Sequence, residues 1–181
     1  MLTITLGTSP YPFNRPIQWL QALLENGLLD EPVFLQHGAS DATAVMAHPL
    51  VTAVPIVTLP DIRERILKSR LVLSHAGDGS ARMLAKSQVP FILLPRLSKY
   101  GEHVDNHQLY FAHSVKPAGV EFCLELQELL PWIDNPPPPC DRALFEGEQL
   151  GDYLLQKYAQ PDPIETRQPW QPRRSWSVKG R

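Results

Sequence analysis

Along residues 1–125, short apolar runs ended by polar or glycine-bearing turns alternate with stretches whose apolar positions recur every three to four residues. Leu2-Thr3-Ile4-Thr5-Leu6 predicts a first strand that stops at Gly7-Thr8-Ser9-Pro10. Trp19, Leu20, Leu23 and Leu24 then form the stripe of a helix over 17–29, broken by Gly27. Residues 33–36 predict a second strand ending at His37-Gly38, and residues 54–59 a third, after which Asp61 would cap a helix over 62–68. A fourth strand over 71–74 runs into His75-Ala76-Gly77-Asp78-Gly79-Ser80, and a helix over 81–86 leads to a fifth strand over 91–94, closed by Pro95. A helix over 106–115 and a last short strand over 120–124 complete the pattern. Strands and helices alternating at this spacing predict an α/β fold: a single Rossmann-like domain, with a parallel sheet and helices on both faces. Ile92-Leu93-Leu94 is continuous rather than alternating, as a strand buried on both sides requires.

Beyond Trp132 the texture changes. Asn135 and the four prolines after it read as a stiff polyproline II spacer, and Leu150, Tyr153, Leu154 and Leu155 mark the packing face of a helix over 144–158. The expected organisation is a Rossmann-like ligand-binding domain at 1–133, a proline spacer and terminal helix at 134–159, and a basic, Trp-containing flexible tail at 160–181. No internal repeat is present.

Composition bounds the function. The 181 residues are 43% apolar, enough for one real core and too many for general disorder. Proline, at 19 residues, stands at about twice ordinary usage, and nearly half of it lies beyond residue 130. The net charge of −2 gives no global case for nucleic-acid binding. The tail is the exception: Arg167, Arg173, Arg174, Lys179 and Arg181 face only Asp162 and Glu165, with Trp170 and Trp176 interleaved. That mixture suits an anionic membrane surface or a docking groove, and equally a disordered terminus. Cys123 and Cys140 are too few for a disulfide framework or a metal-ligand spacing, which fits a reducing cytosol. The N-terminus lacks the basic leader of a signal peptide, and the longest apolar run, 89–95, is too short to span a bilayer. Membrane contact is therefore expected to be peripheral or through a partner.

Ligands of open parallel sheets bind at the carboxyl ends of strands, near the switch point in strand order. The segment from Ser74 to Ser80 lies between a strand and a helix. Its glycines let backbone amides approach a phosphate, the helix terminus adds partial positive charge, and Ser80 adds a hydroxyl. The plain alternative is a tight turn with Ser80 as a helix cap. Neither a P-loop nor a GxGxxG fingerprint is present. A second polar segment, His103-Val104-Asp105-Asn106-His107-Gln108, opens a helix and suits sugar hydroxyls or a diphosphate; a capped helix with solvated polar residues explains it too. His103 and His107 have i,i+4 spacing, but no Glu accompanies them as in HExxH, so no metal and no other cofactor is expected. Arg96, after the fifth strand, would offset diphosphate charge or stand exposed. His37, His48 and His113 read as solvated loop histidines.

These segments carry a resemblance. Ile4-Thr5-Leu6-Gly7-Thr8 followed by Phe13-Asn14-Arg15, Gln36-His37-Gly38, the Ser74–Ser80 turn, Pro90 to Pro95-Arg96, and His103 to Gln108 occur in that order. Over roughly residues 1–125 the chain resembles the C-terminal half of GT-B glycosyltransferases of family 28. It is most similar to soluble donor-binding subunits of two-part enzymes, those that add N-acetylglucosamine to a lipid-linked sugar and bacterial exopolysaccharide counterparts. The resemblance implies a nucleotide diphosphate sugar, UDP-sugar favoured, with Gly7, Thr8, His75, Ala76, Gly77, Gly79 and Ser80 around the diphosphate. Asn106, His107 and Gln108 would face the sugar or its phosphate. It further implies an inverting hexosyltransferase in polysaccharide biosynthesis, in which a membrane-anchored partner subunit carries the acceptor site. The chain would then be cytoplasmic, at the inner face of the membrane through that partner. No catalytic base is identified in this chain. Three positions depart from the pattern. Met83 stands where related sequences carry a ribose-binding Glu, Gln88-Val89-Pro90 where they carry Gly-Lys-Pro, and Tyr110 where they carry an acidic residue. The rival expectation is a non-catalytic interaction subunit that has lost full donor binding; a weaker third is a soluble enzyme hydrolysing or epimerising nucleotide sugars.

Overall fold

A computed structural model describes residues 1–140, and the expected helix over 144–158 and the basic tail lie outside the described residues. Six parallel strands form one open sheet: β1 Leu2–Thr5, β2 Val33–Gln36, β3 Val51–Val54, β4 Leu71–His75, β5 Phe91–Leu94 and β6 Glu121–Phe122. Their order is β3-β2-β1-β4-β5-β6. The chain winds outward from β1 to β3, crosses back, and winds outward again from β4 to β6. The switch point therefore lies between β1 and β4, where Thr5 sits opposite both Gln36 and Ser74. The expected α/β architecture, a parallel sheet with helices on both faces, is what the structure holds.

Two cores flank the sheet because successive side chains of a strand point to opposite faces. Leu2, Ile4, Leu71, Leu73, Ile92 and Leu94 pack on one side against helix α1 (Arg15–Glu25), through Ile17, Leu20 and Leu23, and against helix α6 (Leu126–Asp134), through Leu129 and Ile133. Val72, Phe91 and Leu93 pack on the other side against helices α3 (Leu59–Leu67), α4 (Asp78–Ser87) and α5 (His107–Val115), through Ile66, Leu84 and Ala112. A single helical turn, α2 (Thr43–Met46), precedes β3.

Two sequence expectations are corrected and one element is added. The third strand is 51–54 rather than 54–59, because Pro55 has no N–H to continue the ladder and Ile56 is 72% exposed beyond it. Thr58, not Asp61, caps α3. The Thr58 hydroxyl accepts from the Asp61 N–H at 3.3 Å and donates to the Asp61 carboxylate at 2.6 Å, which places Asp61 three residues inside the cap. Helix α6 was absent from the sequence pattern, yet Glu125 and Glu128 form a reciprocal capping box at its start. The proline run after it stays against the body: Pro137 is buried, and the Cys140 carbonyl accepts from Gln88 Nε2 at 3.0 Å.

Candidate functional site

The carboxyl ends of β1, β2 and β3 are tied together by a single amide. Gln36 Oε1 accepts from the Thr5 hydroxyl at 2.8 Å and from the Gly7 N–H at 3.0 Å. Its Nε2 donates to the carbonyls of Gly7 at 2.8 Å and Pro55 at 3.0 Å. All four hydrogen-bonding positions of this buried side chain are used, so it fixes the turn after β1 to the end of β3. Gly7 adopts φ +78°, a left-handed conformation that disfavours any other residue. The sequence placed Gln36 in a matching segment without assigning it a part; its burial at a strand terminus is what marks it.

His75, at the end of β4, fills the space beside that turn. Its Nδ1 lies 3.4 Å from the Thr5 carbonyl, an atom that can only accept, so Nδ1 carries the proton and Nε2 presents a lone pair. Burial pushes the His75 pKa down to about 4, with Arg96 adding to the shift and the Thr5 bond opposing it. The ring is neutral at physiological pH. It is no anion-binding cation.

Positive potential comes from main chain instead. Gly77 is the N-cap of α4, and its carbonyl accepts the first helical bond, from the Ala81 N–H at 3.0 Å. No side chain caps this terminus, so the amides of Asp78, Gly79 and Ser80 point outward as donors. Asp78 would place a carboxylate beside them, but Arg82 holds that group from the next turn at 2.9 Å. Ser80 is at the third helical position rather than the cap. Ala76 is buried beneath the turn, at 1% exposure.

Thr5, Gly7, Thr8, Gln36, His75 and Ser80 thus line a cleft of about 290 Å³ together with Val57, Leu59, Ile62 and Met83. Val57, Leu59 and Ile62 were missed from sequence because β3 was placed too far along. Arg96 is absent from this lining. It is fully buried, its guanidinium donates to the carbonyls of Leu6 at 2.8 Å, Tyr11 at 2.6 Å and Glu102 at 2.9 Å, and it lies 4.8 Å over the Phe13 ring. Its charge is spent inside the domain, tying the loop after β1 to the loop after β5.

The Asn106–Gln108 segment lines no part of the same cleft. Asn106 Oδ1 accepts from the N–H and hydroxyl of Ser98, both at 3.0 Å, and buried Gln108 accepts from the Arg96 N–H at 3.2 Å. Only His107 faces solvent, with Nδ1 on Asp105 and its ring edge-on to His103 at 4.5 Å. A second cavity of about 480 Å³ opens beside this loop, between Arg15, Trp19, Tyr100, Glu102 and Glu125. Arg15 and Glu102 form a bidentate pair across it at 3.0 and 2.9 Å, a connection between distant segments that the sequence did not suggest.

No helix among the described residues is long and apolar enough to cross a membrane. No curated protein matches the sequence. Among solved structures, MurG of Acinetobacter baumannii superposes with a TM-score of 0.51 at 17% identity, over 73% of this chain and 40% of that one. The glycotransferase of kitacinnamycin gives 0.51 at 18% identity, over 81% of this chain and 37% of that one. The likenesses are of fold, and the chain spans well under half the length of either neighbour. A family model, the glycosyltransferase family 28 C-terminal domain, matches residues 1–131. With its six parallel strands and a cleft at their switch point, the chain belongs to the family of glycosyltransferase family 28 C-terminal domains.

Proposed function

We propose that the chain is the donor-binding half of an inverting glycosyltransferase, taking a nucleotide diphosphate sugar, a UDP-sugar first, and working on a lipid-linked acceptor. The observation that carries this reading is the uncapped terminus of α4 beside the Gly7 turn: three outward amides at the switch point, with no competing carboxylate free. In the reaction, an acceptor hydroxyl attacks the anomeric carbon, the bond from that carbon to the diphosphate oxygen breaks, and the nucleoside diphosphate leaves with the electron pair. The amides and the helix terminus stabilise the charge that develops on the leaving oxygen. The acceptor proton needs a base. Among the described residues His75 is the one titratable side chain lining the cleft, and at a pKa of about 4 it is a weak base. The base and the acceptor site are therefore assigned to a membrane-anchored partner subunit, which would hold this domain at the inner face of the membrane for polysaccharide synthesis. Residues 1–133 would be the donor domain, with the spacer and tail beyond it.

The same absence of a competent base supports the second reading, a non-catalytic interaction subunit. Thermal-shift and calorimetric titrations of the full chain with UDP-, GDP- and dTDP-sugars test the donor claim. Stabilisation by at least one, by several degrees at saturating ligand, is the expected result. No shift with any of them, alone or with a co-purified partner, overturns it.

A further inference from the structure

We infer that His103, Asp105 and His107 form a site for one divalent transition-metal ion of the zinc type, on the loop between β5 and α5. The inference is independent of the donor reading and stands even for a chain that binds no nucleotide.

The three side chains already converge. Asp105 Oδ1 lies 3.4 Å from His103 Nδ1 and 2.5 Å from His107 Nδ1. One ligand atom from each of the three residues falls within 4.8 Å of the other two. Bonds of about 2.0–2.1 Å to a tetrahedral zinc ion hold its ligand atoms about 3.3 Å apart. The His103–Asp105 separation meets that spacing as it stands, and the rest of the set closes by movements of no more than about 1.5 Å. Asp105 and His107 are more than half exposed, so their side chains are free to make that movement. His103 is the fixed member: its ring is four-fifths buried, packed 5.6 Å from the Tyr11 ring and edge-on to His107.

A capped helix explains part of the arrangement. Asp105 accepts from the His107 N–H at 3.1 Å, as a residue just before a helix commonly does. It does not explain His103. The Nδ1 of that ring is enclosed by protein and makes no hydrogen bond of ordinary geometry among the described residues. An enclosed ring nitrogen is costly to leave unpaired, and a metal ion supplies the partner.

Sequence spacing argued against a metal because the two histidines were weighed as a helical pair without a Glu. His103 instead precedes α5, and the loop brings Asp105 in as the third ligand. Two imidazole nitrogens and a carboxylate suit Zn²⁺, Co²⁺ or Ni²⁺ and not Mg²⁺ or Ca²⁺, which take oxygen ligands. The ion would clamp the loop that carries Glu102, whose carbonyl holds Arg96 and whose carboxylate holds Arg15. Binding therefore stabilises the fold.

The test uses the full chain, stripped of metal by a chelator and free of any histidine tag. Titration with Co²⁺ is followed by visible absorption, with Zn²⁺ as competitor. The expected result is one equivalent bound per chain, a melting temperature raised by several degrees at saturation, and no displacement by about a hundredfold excess of Mg²⁺. His103→Ala, Asp105→Asn and His107→Ala each weaken binding by at least about tenfold. His113→Ala, on α5 but outside the cluster, binds as the parent does. Circular dichroism checks the fold of each variant, and the changes at exposed Asp105 and His107 decide the matter if His103→Ala does not fold. No binding by the wild-type chain at about 1 mM Co²⁺ or Zn²⁺ overturns the proposal. Binding that persists unchanged in folded Asp105→Asn or His107→Ala also overturns it, since the ion then sits elsewhere.

Discussion

The ring of His75 occupies the space that a side chain at Gly77 would need: a β-carbon there would lie 2.6 Å from His75 Nε2. At Gly7 a β-carbon would lie 2.8 Å from Cε1 of the same ring. The imidazole therefore leaves no room for a side chain at either turn.

Gly77 and Gly79 are consequently separable. Gly77→Ala forces the ring or the turn to shift, which lowers stability by about 1–3 kcal/mol in denaturant unfolding and weakens nucleotide binding with it. Nothing lies within 4 Å of a β-carbon at Gly79. Gly79→Ala leaves stability unchanged or raises it by up to about 1 kcal/mol, yet places a methyl group among the outward amides. Its affinity for UDP falls at least tenfold; a normal affinity would place the diphosphate elsewhere.

Removing Arg96 strands the buried carbonyls of Leu6 and Glu102 and the part-buried carbonyl of Tyr11. Arg96→Met therefore costs at least about 3 kcal/mol in equilibrium unfolding, since each unsatisfied acceptor carries its own desolvation penalty. Arg96→Lys recovers little of this, because an ammonium lacks the planar fork that reaches Leu6, Tyr11 and Glu102 at once. A loss below about 1 kcal/mol in both variants would return Arg96 to the ligand.

Stability depends on pH through His75. Its folded pKa of about 4 lies below its ordinary value of 6.5, so between these limits the unfolded chain binds more protons than the folded one. Stability is complete above about pH 6.5 and falls by about 2–3 kcal/mol as the pH drops toward 4. His75→Gln removes this slope; an equal slope in the variant would assign it to another group.

Cys123 resists alkylation. Burial, reinforced by the charges of Glu128 and Glu121, pushes its thiol up to about 12, so almost no thiolate exists at pH 8. In Cys140→Ser, iodoacetamide labelling of Cys123 then proceeds only at the rate of unfolding, measured by mass spectrometry against denaturant concentration.

The alternation of strands and helices was legible because parallel strands buried on both sides leave unbroken runs such as 91–94, and glycine turns mark their ends. The boundaries of β3 were not legible. Apolar residues continue through Ile56 and Val57 although Pro55 has ended the ladder, so hydrophobicity and hydrogen bonding disagree there. Helix α6 was obscured by Pro131, which breaks the usual pattern inside a helix that its capping box and the burial of Leu129 and Ile133 nonetheless secure. Within the candidate site, the Gly7 and Ser74–Ser80 turns were readable because main-chain donors demand glycine and a helix start. The interior placement of Arg96 and Gln108 was not, since a charged or amide side chain is identified as buried only when its distant partners are known.

The hydrogen bonds of the Arg96 guanidinium go to main chain alone. Leu6, Tyr11 and Glu102 give it carbonyl oxygens, which every amino acid possesses. The bonds that tie the loop after β1 to the loop after β5 are thus insensitive to which side chains stand at the positions that supply the carbonyls. Tyr11 is free to change without removing the acceptor it gives Arg96, so a lineage can alter the surface of that loop while inheriting the tie intact.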